Sequence, residues 1–299
     1  MIGHLLKDTY KKPDGVMIKT LFLVFISLFL SQTCLLSQAK AETKNVFRTS
    51  DRKTISYDEM LDDLQKANVV FVGEVHDRPE IHQMQLDIIK ALAARKIPVA
   101  VGFEMFTYAS QDELDRWTAG KLPDESFIRI YYKNWGFPWS LYEDIFYYIR
   151  DHNIPGIGLN VPSEITRKVS SFGFNSLTPE ELGELPPETG CVVNETYMKF
   201  IRRAYAMHGH GDKRFLYFCE AQLLWDQSMA HNLLGFLKKD PGKTVVVLAG
   251  NGHAWKRGIP EQVQTMSAKT SFRVILPQIP GHIDPRNITS EDADYILLR

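Results

Sequence analysis

Gly73-Glu74-Val75-His76, Gly102-Phe103-Glu104 and Gly250-Asn251-Gly252-His253 each follow a short run of apolar residues, many of them β-branched. Two carboxylates and two imidazoles therefore stand where three buried strands are predicted to end. Brought to one point, Glu74, His76, Glu104 and His253 could hold Mn, Fe or Zn and leave room for water. Without a metal, a carboxylate oriented by a histidine could serve as a general base. Asn160 closes a further strand-like run, and Asn251 lies inside the third motif.

The runs before these motifs, 69–72, 99–101 and 245–249, are continuous and apolar, the pattern of strands buried on both faces of a parallel sheet. In open α/β sheets ligands bind outside the carboxyl ends of such strands, so the four groups are expected to share a pocket although they lie far apart in the chain. Strand-like and helix-like segments alternate. That pattern predicts an α/β fold with a central, mainly parallel sheet flanked by helices. A helix over 56–66 should lead into the first strand, and one over 79–94, with proline at its first position, should follow it. His82 falls in the first turn of that second helix and reads as solvated or capping. Later strands are expected at 154–159, 272–276 and 295–298.

The longest periodic helix, 215–237, carries Glu220, Gln222 and Asp226. Gln222 and Asp226, four apart, share a face, whereas a two-residue step turns the helix by about 200° and takes Glu220 off it. Between 108 and 151 lies an excursion expected to be wholly helical, in which Trp117, Tyr131, Tyr132, Trp135, Trp139 and Tyr142 crowd with several phenylalanines. It could close on its own aromatic core, or offer a flat apolar wall and phenolic oxygens to a large ligand. His208-Gly209-His210-Gly211-Asp212 is a solvated loop pattern or a metal clip.

Composition narrows the function. With 299 residues, 44% hydrophobic and 24% charged, and a net charge of −1, the chain can build a sizeable core and has no bulk electrostatic pull toward nucleic acid. Lys19, the apolar run 21–30 and Ala39-Lys40-Ala41 read as a secretory signal peptide over 1–41, with 1–16 a possible extension upstream of Met17. Cleavage after Ala41, or lipidation at Cys34, would give an exported protein of the periplasm or outer membrane, with 42–299 as one domain. Cys191 and Cys219 then remain in the mature chain, too few for a disulfide scaffold.

As an ordered set over 46–298, Phe71 to Asp77, Gly102 to Phe106, Trp135 to Tyr142, Leu159-Asn160-Val161-Pro162, Glu220 to Asp226 and Leu248 to His253 resemble the ChaN-like iron-regulated proteins of the haem-binding-uptake/Tiki superfamily. The resemblance implies an exported or surface-tethered protein that binds haem through tyrosine at a homodimer interface, two haems stacked, and that works with outer-membrane uptake machinery. Tyrosinate suits ferric haem. Tyr132 and Tyr142 are the candidate ligands, and Trp255 stands where family members often carry a tyrosine. The superfamily also holds Tiki-type proteases and erythromycin-esterase-like hydrolases. In the hydrolases the positions matching Glu74, His76, Glu104 and His253 do the chemistry, with or without a divalent metal. Asn160, Glu220, Gln222, Asp226 and Asn251 join that pocket in the shared motifs.

Overall fold

The computed structural model describes residues 45–187, 189–205 and 212–298. Within them, β1 (Asn45–Arg48), β2 (Lys53–Ser56), β3 (Val69–Glu74), β4 (Val99–Thr107), β5 (Gly156–Asn160), β6 (Thr244–Gly250), β7 (Phe272–Pro277) and β8 (Tyr295–Leu297) form one sheet in the order β2-β1-β8-β7-β3-β6-β4-β5. All neighbours from β8 to β5 run parallel, and β1 pairs antiparallel with both β2 and β8. The mainly parallel α/β architecture is the one expected. The signal-peptide region and the His208–Asp212 motif, apart from the backbone of Asp212, lie outside the described residues.

Alternation along β3 and β6 divides the core. Val70, Val72, Val246 and Leu248 face one layer, made by α1 (Tyr57–Leu64), α2 (Pro79–Ala94) and the excursion helices α3 (Gln111–Thr118), α4 (Asp124–Asn134) and α5 (Glu143–Asp151). Val69, Phe71, Val245 and Val247 face the other. That layer holds residues of α8 (Glu195–Ala204), α9 (Asp212–Lys239) and α11 (Ile259–Met266). Between them in the chain, α6 (Ser163–Phe172) and α7 (Pro179–Gly183) follow β5, and α10 (Asn251–Ala254) follows β6. Trp117 stacks on Phe127 at 4.1 Å, and Phe103 of β4 stacks on Phe146 at 4.7 Å. The excursion is helical as expected, and its aromatic residues join the core of the sheet rather than closing apart from it.

Two expectations need correction. Residues before α1 form the β1–β2 hairpin, whose turn holds Arg52 at φ 57°. Four-residue strands with a mostly exposed β2 carry no apolar run to betray them, and β1 is held by pairing with β8 from the far end of the chain. Glu104 lies inside β4, because Met105 and Phe106 are buried and the strand continues to Thr107 past a register shift against β5.

Candidate carboxylate–imidazole site

β3 and β6 lie side by side with Glu74 opposite Gly250, and β4 flanks β6 on its other edge. This register brings the motif residues to one end of the sheet. Glu74 is buried and its carboxylate accepts from His76 Nδ1 (2.6 Å) and the Tyr142 hydroxyl (2.7 Å) on Oε1, and from Gln85 Nε2 (2.9 Å) on Oε2. His253 is held in the same manner: its Nδ1 meets Asp226 Oδ1 at 2.6 Å, while the Tyr197 hydroxyl donates to Oδ2 at 2.7 Å. Glu104 sits between the pairs. Its Oε2 accepts the Gly250 backbone N–H at 2.5 Å and its Oε1 lies 3.8 Å from His253 Nε2.

Glycines make this approach possible. A Cβ on Gly250 would stand 3.2 Å from His76 Nε2 and 3.5 Å from Glu104 Oε2, so only a bare Cα fits comfortably between the two groups. On Gly73 it would collide with Asn251 Oδ1. Asn251 thus packs across the Gly-Glu-x-His strand rather than pointing at the acids.

The remaining residues separate. Asn160 donates from Nδ2 to the Glu104 carbonyl (2.9 Å) and so ties the end of β5 to β4 beside the site. Gln222 accepts from the Tyr205 hydroxyl (2.5 Å), which also stands 3.4 Å from His253 Nε2. Gln222 and Asp226 face the site together, as their spacing predicts. Glu220 does not join them: its carboxylate accepts the Phe174 backbone N–H (2.8 Å) and fixes a turn after α6.

His82, read as solvated or capping, is instead buried. The buried face of α2 turns it over Tyr142, ring centroids 4.1 Å apart, with Nε2 3.7 Å from Glu74 Oε2. Gln85, Tyr197, Tyr205 and His82 were missed as site residues. For two of them a signal existed, since His82 and Gln85 are polar residues three apart on the face that also carries Ile81, Ile88, Ile89 and Leu92.

A divalent metal on Glu74, His76, Glu104 and His253 is not supported. Among the described residues no group of three or more His, Cys, Asp or Glu is placed to hold one. Both Glu74 oxygens are already used in hydrogen bonds within the chain.

Charge follows from these contacts. Burial opposes ionisation of Glu74, but the hydrogen bond and charge of His76, with His82 and Tyr142, outweigh it and hold the carboxyl below its ordinary value. Burial also works against a charged His76, yet Glu74 and Glu104 raise that imidazole to about 9. Burial pushes the Asp226 carboxyl up, while the charges of Asp226 and Glu104 overcome burial to raise His253.

The His76 shift has a stability consequence. Its contribution is complete below the unfolded value of 6.5 and is lost as pH rises through about 9. Roughly 2–3 kcal/mol is at stake. Urea midpoints from pH 6 to 9.5 should therefore fall in the native protein and fall less in His76→Gln; parallel curves would contradict the assignment.

His76 is the accessible member, its side chain 29% exposed between Trp135 and Phe137, whose ring centroids lie at 5.0 and 5.1 Å. The excursion thus supplies a wall to the site. The family described as haem-binding uptake, Tiki superfamily, ChaN matches residues 60–263, a span that holds every group described above.

This chain belongs to that family.

Among solved structures it is similar to ChaN of Campylobacter jejuni with cofacially bound heme, at 22% identity and a TM-score of 0.67, covering 86% of this chain and 97% of that one. Lower similarity is found to the type III effector HopBA1, at 10% identity and 0.46, covering 81% and 91% of the two chains. An erythromycin esterase EreC mutant in its open conformation gives 14% and 0.45, covering 84% and 82%. No curated protein sequence matches this one. In this member of the ChaN family, Trp255 is a buried residue that packs against Phe200 and His282 beneath Arg203. No helix of the described residues is long and apolar enough to cross a membrane.

The two tyrosines proposed from sequence differ in access. Tyr142 is 0% exposed and its hydroxyl donates a hydrogen bond to Glu74; burial and the Glu74 charge push its phenol far upward, so it keeps its proton and serves as a donor to that carboxylate. Tyr132 is 54% exposed, and its oxygen accepts the Trp139 backbone N–H at 3.1 Å.

Proposed function

We propose that this protein is an exported haem-binding protein serving iron uptake, with ferric haem held by a surface tyrosine and two copies pairing across two haems. Membership of a family described as haem-binding uptake carries the reading. The chain fits the group in one respect that matters: Tyr108 and Tyr132 present their phenols at 53% and 54% exposure, whereas the Tyr142 ring is sealed. Haem, when bound, supplies a Lewis-acidic ferric centre that takes a phenolate ligand. The chain supplies the exposed phenols. Sedimentation with and without hemin tests the pairing: the reading expects the mass to double on loading, and an unchanged mass would refute the haem-bridged dimer.

A second reading, a metal-free hydrolase of the erythromycin-esterase type, is favoured by the two carboxylate–imidazole pairs around Glu104. His76, charged below about pH 9, would be the general acid, and Glu104 would take a proton from water. Ester hydrolysis lost in both Glu104→Gln and Glu74→Gln would support it.

A further inference from the structure

Tyr205, the residue after α8, donates from its hydroxyl to Gln222 Oε1 at 2.5 Å, and the same oxygen lies 3.4 Å from His253 Nε2. The Gly-Asn-Gly-His motif is shaped to admit it. A Cβ on Gly252 would collide with the ring and hydroxyl of Tyr205, so the second glycine lets the phenol in as Gly250 lets in His76 and Glu104. Asp226 engages Nδ1 of His253, which leaves Nε2 as the face turned to the site, 3.8 Å from Glu104 Oε1.

Two donors thus converge beside the Glu104 carboxylate, the Tyr205 hydroxyl and, on the charged imidazole, His253 Nε2–H. Burial, then the charges of Asp226 and Glu104, push the Tyr205 phenol well above its ordinary value, so it keeps its proton. A phenolate nucleophile is excluded, and a neutral donor remains. Rotation about the Tyr205 C–O bond turns that proton from Gln222 to a ligand oxygen beside His253 Nε2. Donors held in place before charge develops on such an oxygen are the arrangement that stabilises a tetrahedral adduct.

We infer that Tyr205 and His253 are the oxyanion donors of this site, and that its substrate is an uncharged carboxylic ester with an apolar alcohol part. The inference rests on the hydrolase reading and adds the donors and the substrate class. Glu74, Glu104 and Asp226 gather three carboxyl groups there, which disfavours an anionic substrate, and Trp135 and Phe137 flank His76, where the alcohol departs. Glu104 takes a proton from water as the water oxygen bonds to the carbonyl carbon, and the carbonyl electron pair moves to its oxygen, which accepts from Tyr205 and His253. The bond to the alcohol oxygen then breaks; that oxygen leaves with the electron pair and takes a proton from His76. The proton on Glu104 restores His76, so ester and water become acid and alcohol with no redox change.

Steady-state hydrolysis of benzyl acetate and of p-nitrophenyl phosphate by the native protein and by Tyr205→Phe, Gly252→Ala, Trp135→Ala and Glu104→Gln tests this. The expected result is native turnover of the ester, a kcat about a hundredfold to a thousandfold lower in Tyr205→Phe at nearly unchanged KM, and a raised KM in Trp135→Ala. A merely structural tyrosine would not split kcat from KM in that way. Turnover that Glu104→Gln abolishes and Tyr205→Phe leaves unchanged overturns the donor assignment and leaves the hydrolase reading standing. Faster turnover of the phosphate than of the ester overturns the substrate class. Native turnover no greater than that of Glu104→Gln overturns the inference and the hydrolase reading together. Thermal melts check folding, and Gly252→Ala, which keeps the phenol but displaces it, should show the same fall in kcat and keeps the test decisive if Tyr205→Phe unfolds.

Discussion

Replacing Asp226 by alanine should lower the unfolding free energy by about 3–5 kcal/mol, the cost of removing one partner from a buried charged pair. Asp226 is buried and serves two donors at once, the His253 imidazole and the Tyr197 hydroxyl. Without it, both are left in a core that offers no substitute, since the Tyr197 ring lies among Phe200, Ile201 and Leu223. His253 would also lose the contact that fixes its Nδ1 proton and turns Nε2 toward Glu104. Urea denaturation measures the loss. Asp226→Asn, which keeps the volume and an acceptor for Tyr197, should recover part of it; equal losses in the two variants would mean that the carboxylate's charge toward His253, and neither volume nor the bond to Tyr197, is what Asp226 provides.

Trp117→Ala should cost a similar amount, about 3–5 kcal/mol, the usual range for deleting a buried aromatic side chain. The indole is fully buried, stacks on Phe127, donates to the Phe146 carbonyl at 2.9 Å and lies under the Arg150 guanidinium at 4.7 Å. Phe127 and Phe146 in turn meet Phe106 of β4, so the cavity would loosen the seam between the excursion and the sheet. The wall of Trp135 and Phe137 belongs to the same excursion. A calorimetric shift with loss of near-ultraviolet circular dichroism is expected, and Trp117→Phe should lie between. A melting temperature unchanged by the alanine variant would mean that the excursion is not integral to the core.

The parallel strands were legible because burial on both faces leaves a continuous apolar run, as in 69–72 and 245–249. The β1–β2 hairpin was not, since its stability comes from pairing with β8 rather than from its own side chains. In the site, Glu74, His76, Glu104 and His253 could be named from motif position, and the Gln222–Asp226 face from helical spacing. Their supporting hydrogen bonds could not. Tyr142 contacts Glu74 across 68 residues and Tyr197 contacts Asp226 across 29, and in both cases an aromatic ring at helical or turn spacing reads as packing. The metal reading is not supported by the fold, since sequence counts ligating residue types while folding decides where their atoms stand. Tyr142 and Tyr132 were alike in sequence, and only folding separates the buried donor to Glu74 from the exposed phenol.

Equilibrium titration of the protein with hemin, followed at the Soret band, tests the central claim most directly. The account predicts a shifted band that saturates at about one haem per chain and carries the signature of phenolate ligation. Uptake that rises without saturation, or a Soret band unchanged from free hemin, would contradict it.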